Sequence, residues 1–391
     1  MSARRYTLAD VTDLLTDGTH YTPPNVGVGV PFLTVKDVSD AGLDFINCSR
    51  ISQAEFENAQ KQNSAPKIGD VLFSKDGTVG KVHLVREPQD FAVLSSLAIL
   101  RPDKRLASEY LAHFLRSPTA LDAAMKKKTG SAVRRIVLRD LASLQIPLPP
   151  IDEQKRIAAI LDKADALRAK RRQAIALLDS YTQSIFLEMF GDADKIPRLQ
   201  LGEFCTVKGG KRLPKGHDYI DLDEGHYYLR VSDFQKEKLT KRSLKRISKA
   251  THDQIRRYTV SAGDLAISIA GTIGETIVIS PELNGVNLTE NAAKISITNN
   301  QVANPFYLKT ALSMPQARAQ IAASTGQVTI GKLALFRIEQ LEVPLPQIEH
   351  QTIFARVNSQ LERQRQKCLV SAEVSETLFA SLQHRAFTGQ L

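Results

Sequence analysis

The sequence is poor in the residues that mark secreted and membrane proteins. It contains no tryptophan and three cysteines, Cys48, Cys205 and Cys368, which lie far apart and form no C-x-x-C pair. We interpret the cysteines as small core residues, because isolated thiols at such spacing do not build a zinc site. No apolar run approaches the roughly 18 to 20 residues that span a bilayer, and residues 1–6 lack the apolar stretch of a signal peptide. We therefore expect a cytoplasmic protein that has no membrane partner.

Motifs of catalysis and of nucleotide binding are missing or incomplete. Residues 326–332 match the start of a phosphate-binding loop, but Leu333 stands where a serine or threonine must meet Mg²⁺. Residues 27–29 lack the third glycine of a dinucleotide-binding turn, and the acidic start of 153–155 suits the first turn of a helix better than a nuclease site. There is no Asn/Asp-Pro-Pro-aromatic tetrapeptide, and the eight histidines form no evident cluster with carboxylates. We expect no catalytic residue, no metal site and no cofactor in this chain.

Length and charge favour a globular protein of several domains with a polyanionic partner. At 391 residues the chain exceeds what one ordinary core accommodates, and its hydrophobic content of 42% supports burial in two or more domains. The 52 lysines and arginines outnumber the 42 acidic residues, which gives a net charge of +10. Such an excess points to a polyanion more readily than to a small acidic substrate.

The chain is one unit written twice. Residues 69–80 (GDVLFSKDGTVG) recur as residues 263–274 (GDLAISIAGTIG), so that both glycine pairs and the threonines coincide at an offset of 194 residues. Three further pairs keep nearly the same register: 32–38 with 228–234, 110–118 with 307–315, and 146–154 with 343–351. A duplicated unit with approximate twofold symmetry is the natural inference.

Each copy ends in a long charged segment, and we predict helices over 152–189 and 348–385 with the heptad pattern of a coiled coil. In the first helix, one predicted seam track holds Ile157, Ala164, Leu178 and Ile185, and the other holds Ile160, Leu167, Ala174 and Tyr181. In the second helix, the tracks hold Phe354, Leu361, Cys368 and Leu382, and Val357 and Leu378. Arg171 makes the first seam polar at its middle. We expect the helices to pair as an antiparallel coiled coil; the alternative is that each helix packs separately on its own domain.

The front part of each copy has the pattern of an α/β domain. Short apolar runs at 71–73 and 265–269 suit strands, and each is followed by a Gly-Thr-x-Gly turn that serves either structure or a nucleic-acid contact. We therefore predict an α/β plus α protein in which two α/β domains are separated by two long helices. The predicted bounds are 1–149 and 193–345 for the α/β domains, and 150–192 and 346–391 for the helical regions.

The motifs in this order resemble the specificity subunits of type I restriction-modification systems. Residues 146–157 and the helix after them are similar to the central conserved region of that family, and residues 386–391 are similar to its distal conserved region. Residues 17–23 (DGTHYTP) resemble the opening of a target-recognition domain. The second copy departs from this form, because residues 208–214 (KGGKRLP) take the place of Asp-Gly-Thr-His, which argues against a shared base contact at this loop.

The resemblance implies a DNA-specificity subunit that is not itself an enzyme. Such a subunit binds a bipartite site in double-stranded DNA, one half per recognition domain. It docks two modification (methyltransferase) subunits and restriction (translocase and endonuclease) subunits, and S-adenosylmethionine, ATP and Mg²⁺ are expected on those partners. The alternative that stays open is a DNA-binding recognition or scaffold protein of another DNA-modification or defence complex.

Candidate DNA contacts fall into two groups. Polar side chains near the strand–turn loops are candidates for base contacts: Lys75, Asp76, Thr78, Thr272 and Glu275. Basic residues are candidates for phosphate contacts, with a solvated basic face as the alternative. They are Lys126, Lys127, Lys128, Arg134, Arg135, Lys211, Arg212, Lys236, Lys238, Lys241, Arg242, Lys245 and Arg246.

Overall fold

Two units make up the chain, each with one α/β portion and half of each long helix. Unit 1 comprises Met1–Arg172 and Ser371–Leu391, and unit 2 comprises Gln173–Val370. The computed structural model describes residues 4–39, 42–126, 136–191, 196–221, 225–235, 239–324 and 331–391. The domain bounds expected from the sequence differ from these units, because they assign each long helix to one region of its own. Those bounds stay a prediction.

Unit 1 is built around an antiparallel four-stranded sheet. Its strands are β1 (Arg5–Thr7), β2 (Thr12–Asp17), β3 (Val30–Leu33), β4 (Val38–Ser39), β5 (Gly42–Leu43), β6 (Ser49–Ile51), β7 (Val71–Ser74), β8 (Val82–Leu84), β9 (Ala92–Val93), β10 (Leu97–Pro102) and β11 (Gln145–Pro147). Its helices are α1 (Gln53–Lys61), α2 (Ser108–Arg116), α3 (Pro118–Lys126), α4 (Leu138–Ala142) and the first part of α5 (Ile151–Phe190). The main sheet has the order β2-β10-β7-β8, and β6-β3-β9 form a second, mixed sheet.

Unit 2 repeats this architecture. Its strands are β12 (Arg198–Gln200), β13 (Cys205–Gly209), β14 (Tyr219–Ile220), β15 (His226–Leu229), β16 (Lys245–Ile247), β17 (Leu265–Ser268), β18 (Thr276–Val278), β19 (Asn287–Leu288), β20 (Ala292–Ile297) and β21 (Glu342–Pro344). Its helices are α6 (Leu201–Phe204), α7 (Lys249–Ile255), α8 (Pro305–Ser313), α9 (Pro315–Ser324), α10 (Leu335–Glu339) and the first part of α11 (Ile348–Thr388). The main sheet has the order β13-β20-β17-β18, and the second sheet is β14-β16-β15-β19.

The matching strand orders confirm the repeat that the sequence predicts. The central strands β7 and β17 are buried along their whole length, as expected of apolar runs without a polar alternation. Helix α2 packs against β7 and β8, and helix α8 packs against β18, with Tyr110 and Tyr307 fully buried at equivalent positions. The Tyr110 hydroxyl donates to the carbonyl of Pro147 at 2.9 Å, and the Tyr307 hydroxyl donates to that of Pro344 at 2.7 Å.

A buried glutamine fixes the start of each long helix to its own unit. The amide nitrogen of Gln154 donates to the carbonyls of Arg105 and Pro149, and its oxygen accepts from the backbone N–H of Ala107 at 2.9 Å. Gln351 makes the same three bonds in unit 2, and both glutamines are 0% exposed. Because each amide satisfies three backbone groups, replacement by an apolar side chain would leave buried polar atoms unpaired.

The long helices confirm the predicted segments 152–189 and 348–385, and they run antiparallel within each unit. In unit 1, the guanidinium of Arg168 bonds to Glu376, and that of Arg171 bonds to the carbonyl of Ser371 and the hydroxyl of Ser375. Arg168 also lies 4.1 Å from the ring centroid of Phe379. The seam is therefore polar around Arg171, as its sequence position predicts.

In unit 2 the same two helices contact each other further along. The guanidinium of Arg365 lies 2.6 Å from the carboxylate of Asp179, and Phe186 packs edge-on against Phe354 with ring centroids 5.4 Å apart. As the residue numbers of α5 rise, those of α11 fall, which shows the antiparallel direction in this unit as well.

Part of one predicted seam track in each helix is wrong. Leu167, Tyr181 and Leu378 are 54%, 56% and 55% exposed, so they do not lie in the contact between the helices. The inner track lies one residue further along, at positions such as Leu161 and Phe379, which are 0% and 7% exposed. A residue three or four positions after a seam residue lies on the same helix face. In this structure the residue four positions later, such as Leu161 after Ile157, is the buried one.

Within the described ranges, no helix combines the length and apolar character that a bilayer-spanning segment needs.

Candidate nucleic-acid interface

The loop after the first strand of the main sheet has the same backbone in both units. The Gly18 N–H donates to the carbonyl of Leu97, the first residue of β10, at 3.1 Å. The Gly210 N–H donates to the carbonyl of Ala292, the first residue of β20, at 2.9 Å. A Cβ at Gly18 would lie 2.2 Å from a backbone oxygen, and one at Gly210 would lie 2.0 Å from a backbone oxygen. Only glycine fits such an approach. The two loops are therefore equivalent, and Arg212 in unit 2 takes the place of His20 in unit 1.

A buried serine closes the Gly-Thr-x-Gly turn of each unit. The Ser74 hydroxyl donates to the carbonyl of Thr78 at 2.6 Å and accepts from the N–H of Lys81 at 2.7 Å. Ser268 repeats both bonds in unit 2, at 2.5 and 2.9 Å. The turn glycines all have positive φ: Gly77, Gly80, Gly271 and Gly274. These turns hold the exposed side chains of Thr78 and Thr272 on a fixed backbone.

Lys75 was predicted to contact DNA, and the structure contradicts this. Its side chain is 2% exposed, and its ammonium lies 3.1 Å from the carboxylate of Asp17. A side chain at this depth cannot reach DNA without breaking a buried ion pair. The equivalent positions in unit 2 are Gly209 and Ile269, so both charges are absent there together. Through its ion pair with Asp17, Lys75 holds the residue directly before the loop that begins at Gly18.

The turn carboxylates have partners within the protein. The Asp76 carboxylate accepts from the N–H of Gly77 at 2.9 Å, and the Glu275 carboxylate lies 2.9 Å from the guanidinium of Arg318. Unit 1 has Lys81 in the place of Glu275, and the Lys81 ammonium donates to two backbone carbonyls. The same turn backbone thus carries a lysine in unit 1 and a glutamate in unit 2.

A groove of about 810 Å³ in unit 2 brings three of the predicted residues together. Its walls are the loops after β13, β15, β17 and β19, and they carry Arg212, Thr272 and Glu275. The groove also includes Arg230 and Glu290, which sequence reasoning missed. The sequence gives no signal for these two, because their loops are far apart along the chain and meet only in the fold.

Arg212 is held at the edge of this groove by Glu290. The guanidinium Nε of Arg212 donates to the Glu290 carboxylate at 2.8 Å, and the second oxygen of that carboxylate accepts from the Thr289 hydroxyl at 2.9 Å. The Arg212 side chain is nonetheless 79% exposed. Deeper in the groove, Arg230 forms two bonds to the fully buried carboxylate of Asp233.

The ionisation of the groove follows from these contacts. Partial burial opposes the shift, but hydrogen bonds from Arg212 and Thr289 hold the pKa of Glu290 below its ordinary value. Burial raises the pKa of Tyr228, beside Glu290, to about 12. At neutral pH the groove therefore presents a guanidinium and a carboxylate side by side, together with neutral phenol groups.

The predicted basic strip of unit 2 combines cations with an aromatic ring. The ammonium of Lys241 and the guanidinium of Arg246 lie 5.8 and 5.4 Å from the ring centroid of Tyr227. Arg242 and Lys245 are exposed. This surface suits phosphate contacts, and these four residues stay predicted contacts.

Of the remaining predicted contacts, the structure describes the side chain of Lys211. Lys127, Lys128, Arg134, Arg135, Lys236 and Lys238 lie outside the described residues, as does the side chain of Lys126. Lys211 is exposed, and its ammonium lies 5.8 Å from the ring centroid of Tyr258. Among the residues that the structure describes, no three or more His, Cys, Asp or Glu side chains form a group that could hold a metal ion.

Comparison with known proteins places this geometry in a family. Residues 5–177 and 197–368 match the model of the type I restriction modification DNA specificity domain. The chain is 24% identical over 400 residues to the type I restriction enzyme EcoBI specificity subunit of Escherichia coli, which covers 93% of this chain and 80% of that protein.

Solved structures share the fold. The S subunit of a type I restriction-modification system from M. genitalium is similar, with a TM-score of 0.58 at 15% identity over 98% of this chain and 96% of that chain. A chain from work on the assembly and conformational transition of the type I R-M system has a TM-score of 0.55 at 19% identity, over 100% of this chain and 98% of that chain.

Proposed function

Because the chain belongs to the type I restriction-modification DNA specificity family, we propose that it reads a two-part site in double-stranded DNA, one half through each unit. The observation that carries the proposal is the pair of equivalent loop frames that begin at Gly18 and Gly210. The frames agree, while the side chains on them differ in size and charge. If each unit reads a different half-site, the two loops need the same backbone but different side chains, because contacts between side chains and bases specify the sequence. Mapping of methylated adenines in cells that carry the chain with its modification subunits tests it.

We propose that each unit docks one modification subunit through its part of the long helices, and that restriction subunits join the same assembly. Apolar side chains about half exposed on these helices support this proposal: Leu167, Val374 and Leu378 in unit 1, and Leu177, Tyr181 and Val370 in unit 2. Where such residues form a contiguous apolar patch, the patch marks a protein contact. S-adenosylmethionine, ATP and Mg²⁺ then bind the partners, and the complex acts in the cytoplasm.

We also propose that α5 and α11 form a coiled-coil spacer that separates the two half-sites on DNA. Support comes from the antiparallel pairing in each unit and from the course of each helix, which starts in one unit and ends in the other.

The isolated chain is expected to transfer no methyl group, hydrolyse no ATP and cut no DNA, because the sequence lacks the motifs for these reactions. Radiolabelled S-adenosylmethionine measures methyl transfer to a DNA library. As the control, addition of modification subunits is expected to start methylation in the same tube. Transfer by the chain alone would show that it is an enzyme.

Reversal of charge at Lys241, Arg242, Lys245 and Arg246 to glutamate is expected to weaken DNA binding equally for all sequences. Each lost phosphate contact lowers the steepness of log K against log salt by about 0.9, so we expect a decrease of about 2 to 4. Gel shifts of random duplexes over a range of salt concentrations measure this slope. Reversal of the exposed helix lysines Lys155, Lys163, Lys170 and Lys367 is the matched control. An unchanged slope in the first variant would show that the strip does not face DNA.

A further inference from the structure

Unit 2 contains a separate cavity of about 600 Å³ whose walls carry three basic side chains. Lys208 of β13 and Lys294 of β20 are direct partners in the antiparallel ladder. Arg257 comes from the segment that follows α7, and the ring of Tyr258 forms part of the same wall.

The positive charges around this cavity are poorly neutralised. Like charges directly opposite each other destabilise a sheet, and Lys208 and Lys294 stand in this relation. The Lys294 ammonium donates to the carbonyl of Thr259 at 2.8 Å and lies 3.9 Å from the carboxylate of Asp264. Within the part of the chain that the structure describes, neither Lys208 nor Arg257 has an ion-pair partner. An anion in the cavity would offset this repulsion.

Unit 1 shows that the fold does not require these charges. The positions equivalent to the two lysines are Thr16 and Ile99, which are direct partners in the ladder between β2 and β10. Ile99 is fully buried, and the place of Tyr258 is taken by the small Ser64. Unit 2 therefore has cations and open space where unit 1 has neutral residues, which points to a ligand and not to a need of folding.

We propose that this cavity binds a phosphate group. Its oxygens accept charge-assisted hydrogen bonds from the two ammonium groups and the guanidinium, and the latter can donate two in parallel. The Lys211 ammonium, 5.8 Å from the ring centroid of Tyr258, extends the positive surface. The phosphate belongs either to the DNA backbone, in which case the inference rests on the proposed function, or to a free phosphorylated molecule.

Isothermal titration of the full chain with inorganic phosphate, at constant ionic strength, tests the site. Wild-type protein is expected to bind saturably at one site. The variant Lys208→Thr/Lys294→Ile, which installs the residues of unit 1, is expected to bind at least tenfold more weakly. Arg257→Ala changes an exposed side chain, so the variant is expected to fold normally. It is expected to bind phosphate more weakly than wild type.

Lys215→Ala, at an exposed lysine outside the cavity, is the matched control and is expected to keep the wild-type affinity. No saturable binding to wild type, or equal affinity in wild type, the double variant and Arg257→Ala, would overturn the proposal.

A DNA duplex distinguishes the two sources of phosphate. If the ligand is a backbone phosphate, the duplex displaces inorganic phosphate, and the salt slope of the double variant falls by about 1. If the ligand is a free molecule, phosphate binds equally with and without the duplex, and the slope is unchanged. Because the titration contains no DNA, failure of the site leaves the proposed function standing. Failure of DNA reading would instead appear in the methylation map while phosphate binding persists.

Discussion

Replacing Lys75 with isoleucine is expected to destabilise unit 1 by about 3 to 5 kcal/mol, because the change leaves a carboxylate without its cation in a poorly solvated place. The Asp17 side chain is 13% exposed, and its carboxylate lies 3.1 Å from the Lys75 ammonium. Asp17→Gly is expected to cost a similar amount, since it strands a lysine that is 2% exposed.

The double variant Asp17→Gly/Lys75→Ile is expected to be more stable than either single variant. It installs the Gly209 and Ile269 combination of unit 2, and apolar replacement of a buried ion pair is often neutral. Hydrogen exchange of unit 1 peptides in the full chain, measured by mass spectrometry, gives the free energy of opening. Unit 2 peptides are the internal control. A double variant whose loss equals the sum of the two single losses would show that the residues are not coupled.

Arg212→Ala is expected to relax discrimination at one base position of one half-site by about 1 to 3 kcal/mol, roughly 5- to 150-fold. The bond from Arg212 to Glu290 holds the guanidinium at the groove edge, where its other nitrogens can form a bidentate contact with guanine. Arg212→Lys is expected not to restore discrimination, because an ammonium lacks the planar fork.

Methylation of a randomised duplex library by the chain and its modification subunits measures this effect base by base. Lys215→Ala, on the same loop but outside the groove, is the control and is expected to leave every position unchanged. Equal weakening of all sequences by Arg212→Ala would identify Arg212 as a phosphate contact and refute the base-reading role.

Much of the fold follows from the repeat in the sequence. The offset of residues 69–80 against 263–274 predicts two α/β units with one topology, and the strand orders confirm it. The helix segments are also confirmed, because nearly forty residues without proline or glycine leave few alternatives. The seam was only half predicted, because the sequence pattern does not say which side of a helix face the partner covers.

The site was harder to predict for physical reasons. The positive charge of Lys75 suggested a DNA contact, but charge alone does not show whether a side chain lies at the surface. Gln154 and Gln351 had a usable signal, since an identical polar residue recurs at the same offset directly before each helix seam. Arg230 and Glu290 had none, because their place in one groove depends on loops that only the sheet brings together.

Methylated adenines, mapped by sequencing the genomes of cells that carry the chain with its modification subunits, test most directly whether each unit reads one half-site. Three chains are compared: wild type, a unit 2 variant with Arg212→Ala, and a unit 1 variant with His20→Ala at the equivalent loop position. The wild-type map is expected to show a bipartite sequence. The two variants are expected to relax different halves of it and to leave the other half and the spacer unchanged. Relaxation of the same half by both variants, or a uniform loss of methylation at all sites, would contradict the assignment of one half-site to each unit.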